Sequence, residues 1–70
     1  MKEVTANMAG LVLNLLVNVG DNVSEGQDVV TLESMKMEVP VQSNDSGAVK
    51  EIKINVGEFV NEGDVLIVLE

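Results

Sequence analysis

Glu33-Ser34-Met35-Lys36-Met37-Glu38 lies at the middle of a 70-residue chain and separates two copies of one sequence pattern. Residues 9–33 align without gaps on residues 46–70, at the constant offset of 37 that takes Gly10 to Gly47. Ten of the 25 aligned positions are identical. Glycines recur where the chain must turn, because glycine adopts backbone conformations that other residues resist. The chain therefore reads as two similar halves joined by the central hexapeptide.

The residues between the turns have the composition of β-strands. Valine occurs fourteen times, and its branched side chain packs well on a pleated, half-buried surface. Apolar and polar residues alternate in short runs. Strands are predicted at residues 4–8, 11–17, 23, 29–33 and 38–42, and again in the second copy. Pro40 indicates an edge strand or a bulge. The pattern predicts an all-β fold of two antiparallel sheets packed face to face about a pseudo-twofold axis.

The repeat also separates core from surface. Leu13 and Leu16 align with Lys50 and Lys53, so both leucines are expected to face outward or to be only partly covered. Positions that are apolar in both copies are expected to form the core. The predicted core residues are Val12, Leu15, Val17, Val23, Val30 and Leu32, with their partners Val49, Ile52, Ile54, Val60, Ile67 and Leu69.

Composition and length argue against several classes of function. The chain has neither Cys nor His, so no metal site and no catalytic residue is predicted. A formal charge of −8 and a single aromatic residue, Phe59, argue against nucleic-acid binding. No apolar run is long enough to cross a membrane and no signal peptide is evident. We expect one cytoplasmic, monomeric domain over residues 1–70 that is not an enzyme.

Lys36 is the candidate functional residue. It falls between two predicted strands, so residues 34–37 are expected to form a hairpin turn with the amine in solvent. An exposed amine suits an acceptor that a partner enzyme modifies, whereas a Schiff-base or general-base lysine requires burial. Met35 and Met37 flank it, and flexible thioethers make an adaptable recognition surface.

These residues resemble a known family. The central hexapeptide is similar to the biotin-attachment sequence of biotinyl domains, the carrier modules of biotin-dependent carboxylases. The resemblance covers nearly the whole chain, because the Met-Lys-Met triplet lies within a repeated glycine-valine frame. That frame comprises Gly10-x-Val12, Val19-Gly20-Asp21-x-Val23-x-x-Gly26, Gly47-x-Val49 and Val56-Gly57-x-x-Val60-x-x-Gly63-Asp64.

The resemblance implies a fold and a role. The implied fold is a flattened eight-stranded antiparallel β-sandwich, the barrel-sandwich hybrid, with the modified lysine at a hairpin tip. Lys36 would be the residue that biotin protein ligase joins to biotin, and Met35 and Met37 would be positions the ligase recognises. The arm would then carry carboxylate from a biotin carboxylase site to a carboxyltransferase site.

The sequence departs from the family pattern at three places. Ser34 stands where many members have alanine, and residues 8–10 lack the prolines common in that turn. No inserted thumb segment interrupts the first half, so the chain resembles the thumbless carriers, here standing alone.

The same residues allow other functions. Lipoate on the same lysine is an alternative, although lipoyl domains usually show Asp-Lys-Ala at the turn. A barrel-sandwich module that only contacts other proteins is a second alternative. Glu33 and Glu38 could act as an acid/base pair, although a solvated strand face explains them more simply.

Overall fold

The computed structural model describes residues 2–70, which form eight β-strands. In chain order the strands are β1 (Lys2–Thr5), β2 (Gly10–Leu15), β3 (Asn22–Val23), β4 (Asp28–Ser34), β5 (Met37–Gln42), β6 (Gly47–Ile52), β7 (Phe59–Val60) and β8 (Val65–Leu69). They form two four-stranded sheets with the orders β5-β4-β2-β7 and β1-β8-β6-β3. All neighbouring strands are antiparallel. The predicted eight-stranded β-sandwich is confirmed.

The two sheets differ in what they carry. The tip sheet is β5-β4-β2-β7, because the β4–β5 hairpin ends at Lys36. The terminal sheet is β1-β8-β6-β3, in which Lys2 pairs with Leu69. Each sheet takes its short edge strand from the other half of the sequence, so the two halves are interlocked. Pro40 lies on β5, an edge strand, as predicted.

The pseudo-twofold repeat extends further than the sequence alignment suggested. Val4 of β1 pairs with Ile67 just as Val41 of β5 pairs with Val30, again at the offset of 37. The buried Ala6 donates its N–H to the Asp64 carbonyl at 2.9 Å, and the equivalent Ser43 donates to the Gln27 carbonyl at 2.9 Å. Residues 2–33 thus correspond to residues 39–70. Residues 34–37, which form the tip, have no counterpart.

The core lies between the sheets. Ten of the twelve predicted core residues are buried, and the exceptions, Leu15 and Ile52, are partly buried against the same cluster. Leu16 is 51% exposed and Leu13 is half-buried, in line with their lysine partners. The prediction omitted five members of the buried cluster: Val4, Ala6, Val29, Val41 and Leu66.

Val29 and Leu66 were omitted because β-bulges interrupt the alternation of strands β4 and β8. Between β4 and β5 the register passes from Asp28 to Val30, and between β8 and β1 it passes from Val65 to Ile67. Each skipped residue is an extra one on its strand, so two neighbouring side chains turn to the same side. Val29 and Leu66 are both fully buried. A strict period of two would have placed them outside.

The strand boundaries also differ from those predicted. Strand β1 ends at Thr5, whereas alternation predicted a strand to Met8. The chain leaves β8 at this point, because the Ala6 N–H and C=O bond instead to Asp64 and Gly63. Strand β2 ends at Leu15 rather than Val17, although Val17 remains buried.

Candidate functional site

Lys36 lies at the tip of the β4–β5 hairpin. Ser34 and Met37 form the last pair of the ladder, so the connecting loop is only Met35 and Lys36. Both loop residues have positive φ, 53° at Met35 and 64° at Lys36. Two positive φ values in a two-residue loop are the hallmark of a type I′ turn, whose twist matches that of the flanking strands. The turn therefore continues the sheet and projects both side chains beyond it.

The residue types at the tip are disfavoured in the backbone conformation that they adopt there. Type I′ turns favour Asn-Gly, because left-handed backbone brings a Cβ close to the following carbonyl oxygen. Every other positive-φ residue among residues 2–70 is a glycine. Met35 and Lys36 therefore adopt a strained conformation at the one place where the repeat is interrupted. Residues with strained backbone conformations concentrate at functional sites, where the function of their side chains compensates for the cost in stability.

Solvent surrounds the tip. Met35 is 91% exposed and Met37 is 64% exposed, so neither methionine packs into the core. Lys36 is exposed, and its amine makes no hydrogen bond or ion pair within residues 2–70. The three residues selected from the sequence thus lie together on one hairpin end.

The other lysines are placed differently. Lys2 donates to the Ser46 carbonyl oxygen, and Lys53 forms an ion pair with Glu51 at 3.1 Å. Lys50, on β6, also takes part in an interaction. None of the three lies on the tip sheet. Lys36 is thus set apart from them by its position and by its lack of a partner among residues 2–70.

Glu33 and Glu38 form the base of the tip. They pair directly across β4 and β5, and both are exposed. Like charges directly opposite each other on one face of a sheet repel. The arrangement places two carboxylates one residue pair below the Ser34–Met37 pair. This is a solvated acidic surface rather than an enclosed acid/base pair.

The described part of the chain offers no enclosed site. Residues 2–70 form no pocket and no group of three or more potential metal-ligating side chains. No segment of these residues forms a helix with the length and apolarity needed to span a membrane. The chemistry available at the tip is therefore that of an accessible primary amine on a fixed hairpin.

Comparisons with known proteins agree with this geometry. Residues 2–69 match the Biotin_lipoyl family model, described as "Biotin-requiring enzyme". Over 40 residues the chain is 50% identical to biotinylated protein TB7.3 of Mycobacterium tuberculosis, covering 57% of this chain and 56% of that protein. Over 33 residues it is 61% identical to the biotin carboxyl carrier protein of Streptococcus mutans, covering 47% of this chain and 25% of that one. The aligned segment thus spans little more than half of TB7.3 and a quarter of the carrier protein.

A solved structure shows the same fold within a larger enzyme. The urea carboxylase of Kluyveromyces lactis superposes on 99% of this chain with a TM-score of 0.90 and 30% sequence identity. The match covers 6% of the carboxylase chain. A domain of this shape is thus one small part of that protein.

Proposed function

The chain belongs to the Biotin_lipoyl family, and from this we propose that it is a biotin carrier whose acceptor is the Nζ of Lys36. Biotin protein ligase would join this amine to the carboxyl group of biotin through an amide bond. The resulting arm would carry a carboxyl group between a biotin carboxylase site and a carboxyltransferase site. The domain itself contributes presentation and no catalytic group.

The position of Lys36 is the observation that carries the proposal. The side chain starts from a two-residue turn of fixed hand, with no hydrogen bond or ion pair within residues 2–70. An amine held in this way enters a partner's active site without first breaking protein contacts. The absence of a pocket in the described residues suits a tether that must leave the domain surface to reach other sites.

Amide formation needs the amine in its neutral form and an activated carboxyl group. The nitrogen lone pair forms the new C–N bond, and the bond between the carbonyl carbon and its ATP-derived leaving group breaks. The nitrogen loses its proton to a base. The chain has no His, and Glu33 and Glu38 are exposed to water. We therefore assign proton removal to the ligase, which also uses ATP to activate biotin. The role of this chain is to present the nitrogen with the two methionines beside it.

Met35 and Met37 are proposed as recognition residues for the ligase. Both are apolar, exposed and adjacent to the acceptor. Apolar groups in water gain free energy when a partner covers them. Their flexible thioethers would adapt to the surface around the ligase active site.

The test is modification of the intact protein in vitro. Purified protein is incubated with biotin ligase, ATP and biotin, and the intact mass is measured. We expect one biotin per chain, and none in Lys36→Arg. A triple variant, Lys2→Arg with Lys50→Arg and Lys53→Arg, is the matched control and should be modified like the wild type.

Two outcomes would contradict the proposal. Biotin found on Lys36→Arg would place the acceptor elsewhere. A folded wild-type protein with no adduct would remove the biotin assignment. Parallel incubation with a lipoate ligase would then separate lipoylation of Lys36 from a module that only contacts other proteins.

A further inference from the structure

Four outward-facing residues form a continuous row across the tip sheet. Glu38 pairs with Glu33, Glu33 pairs with Leu11, and Leu11 pairs with Phe59. Directly paired residues of an antiparallel sheet share a face. We call these four residues the outward row. One end is acidic and the other is apolar, and Phe59 is 63% exposed.

The pseudo-twofold repeat shows that the fold does not require apolar residues here. In the terminal sheet the equivalents of Leu11 and Phe59 are Ala48 and Asn22, and these two pair with each other in the same way. The same ladder position therefore accepts a small residue beside a polar one. Phe59 is also the only aromatic residue of the chain. Folding alone does not explain its exposure on the sheet that carries Lys36.

The outward row lies close to Lys36. Leu11 pairs with Glu33, three residues before the acceptor, which corresponds to roughly 10 Å along the hairpin at about 3.3 Å per residue. A protein partner that covers about 800 Å² occupies a patch roughly 30 Å across. A partner centred on Lys36 would therefore reach Leu11 and Phe59.

We propose that Leu11 and Phe59 are a docking surface for the ligase that modifies Lys36, an inference that rests on the proposed function. The ligase must bring the lysine nitrogen itself into its active site, so it must approach the tip closely. Enzymes that act at the end of a long arm are under no such constraint. The matching ligase surface is an apolar patch bordered by lysine or arginine side chains opposite Glu33 and Glu38.

Charge supports this choice of partner. The protein carries a net charge of −8, and the strands of the tip sheet contain no lysine, so Lys36 in the β4–β5 loop is the only lysine next to that sheet. Glu33 and Glu38 repel each other across the ladder. A basic border on the partner would relieve that repulsion and speed the encounter at low salt. A second copy of this acidic chain lacks that complementarity.

The experiment replaces the docking residues by those of the terminal sheet. Phe59→Asn and Leu11→Ala install side chains that the same fold already carries at Asn22 and Ala48. The initial rate of biotinylation by a biotin ligase is measured against carrier concentration. We expect KM to rise about tenfold for Phe59→Asn, with kcat unchanged within about twofold, as for an interface residue whose truncation weakens binding by about 1.4 kcal/mol. The KM of Phe59→Leu should be close to that of the wild type, because leucine keeps most of the apolar contact.

Val19→Asn is the matched control. Val19 is 63% exposed, the same fraction as Phe59. Its neighbour Gly20 donates to the Val49 carbonyl at 2.9 Å, which places Val19 beside the terminal sheet. Its KM should match that of the wild type. Thermal unfolding followed by circular dichroism would establish that each variant is folded.

Several outcomes would overturn the inference. One is an unchanged KM in folded Phe59→Asn and Leu11→Ala. Another is a rise in the KM of Val19→Asn equal to that of Phe59→Asn. A third is a decrease in kcat with no change in KM. A wild-type dimer in sedimentation equilibrium that Phe59→Asn dissociates would assign the surface to a second copy. If the wild type is not biotinylated at all, the proposed function fails. If the wild type and Phe59→Asn are biotinylated with the same KM, only the docking surface fails.

A binding measurement tests the same surface without modification of the variant. Lys36→Arg protein is used as a competitor against a standard acceptor peptide. We expect Lys36→Arg combined with Phe59→Asn to inhibit about tenfold more weakly than Lys36→Arg alone. Equal inhibition would contradict docking at Phe59.

Discussion

The tip sheet and the terminal sheet have equivalent strands, equivalent bulges and nearly the same buried positions, yet their outer surfaces differ. The tip sheet and its borders carry leucine or phenylalanine at four positions where the terminal sheet carries alanine, asparagine or lysine. These pairs are Leu11 and Ala48, Leu13 and Lys50, Leu16 and Lys53, and Phe59 and Asn22. The comparison separates the buried residues that the fold requires from the outward residues that are particular to one sheet.

The inward positions agree because both sheets face the same interior. A change of size on one side must be absorbed by a close-packed neighbour on the other, so the two sets of side chains constrain each other. Outward positions have no such neighbour within the chain. Their divergence, together with the tip on one sheet, supports the docking surface proposed on the tip sheet.

The largest expected effect is a loss of stability on truncation of a core leucine, which shows whether the two halves contribute equally to the free energy of unfolding. Leu32 and Leu69 are equivalent, and both are fully buried. Leu32→Ala and Leu69→Ala should each lower the free energy of unfolding by about 3 kcal/mol, a large part of the stability of so small a domain. Urea unfolding measures both. A difference above about 1.5 kcal/mol between them would show that the pseudo-symmetry does not extend to energetics.

The second prediction concerns the glycines that let the central strands approach each other. A Cβ at Gly10 would lie 2.8 Å from the Glu33 carbonyl oxygen, and a Cβ at Gly47 would lie 2.5 Å from that of Glu70. Each alanine substitution should cost roughly 1–3 kcal/mol through overpacking. Glu33 continues into the tip hairpin, whereas Glu70 follows β8 of the terminal sheet. Biotinylation should therefore slow in Gly10→Ala and remain near the wild-type rate in Gly47→Ala.

These two variants are to be measured at a temperature where both are folded, as judged by circular dichroism. Equal slowing in both would mean that general destabilisation, and not displacement of the tip, limits modification. A normal rate in Gly10→Ala would show that the hairpin tolerates a shift at Glu33.

The smallest expected effect is a gain in stability at the tip. Replacing Met35 by Asn and Lys36 by Gly would supply the residues that a type I′ turn prefers. Relief of left-handed strain at two positions should raise the free energy of unfolding by about 1–2 kcal/mol, while removing the acceptor. The midpoint of thermal unfolding measures the gain. The single substitution Lys36→Gly should give about half of this gain in stability. No gain in either variant would mean that the turn is unstrained.

Several features followed from sequence patterns alone. The 37-residue repeat predicted the pseudo-twofold sandwich, and the alignment of Leu16 with Lys53 correctly assigned Leu16 to the surface. Pro40 was correctly assigned to an edge or a bulge, because proline cannot donate to a sheet ladder. These inferences depend on local backbone chemistry and on periodicity, which act over a few residues.

Other features were beyond sequence patterns. The equivalence of β1 and β5 was missed, because only Val4/Val41 and Asn7/Asn44 are identical between residues 2–8 and 39–45. Buried Val29 and Leu66 were missed because nothing in their sequence marks a bulge. The left-handed conformation of Met35 and Lys36 was missed because neither residue type signals a type I′ turn. The outward row was missed because its members are distant in sequence.

By itself, the sequence determined the class of fold, most of the core and the position of Lys36 between two strands, because repeats and apolar periodicity are written along the chain. The tertiary structure decided which outward residues meet on one face. It paired Phe59 of the second half with Leu11 of the first, and it put both in one row with Glu33 on the sheet that carries the acceptor. The physical reason is that pairing between strands joins residues dozens of positions apart, and register is fixed only when both sheets close on one core.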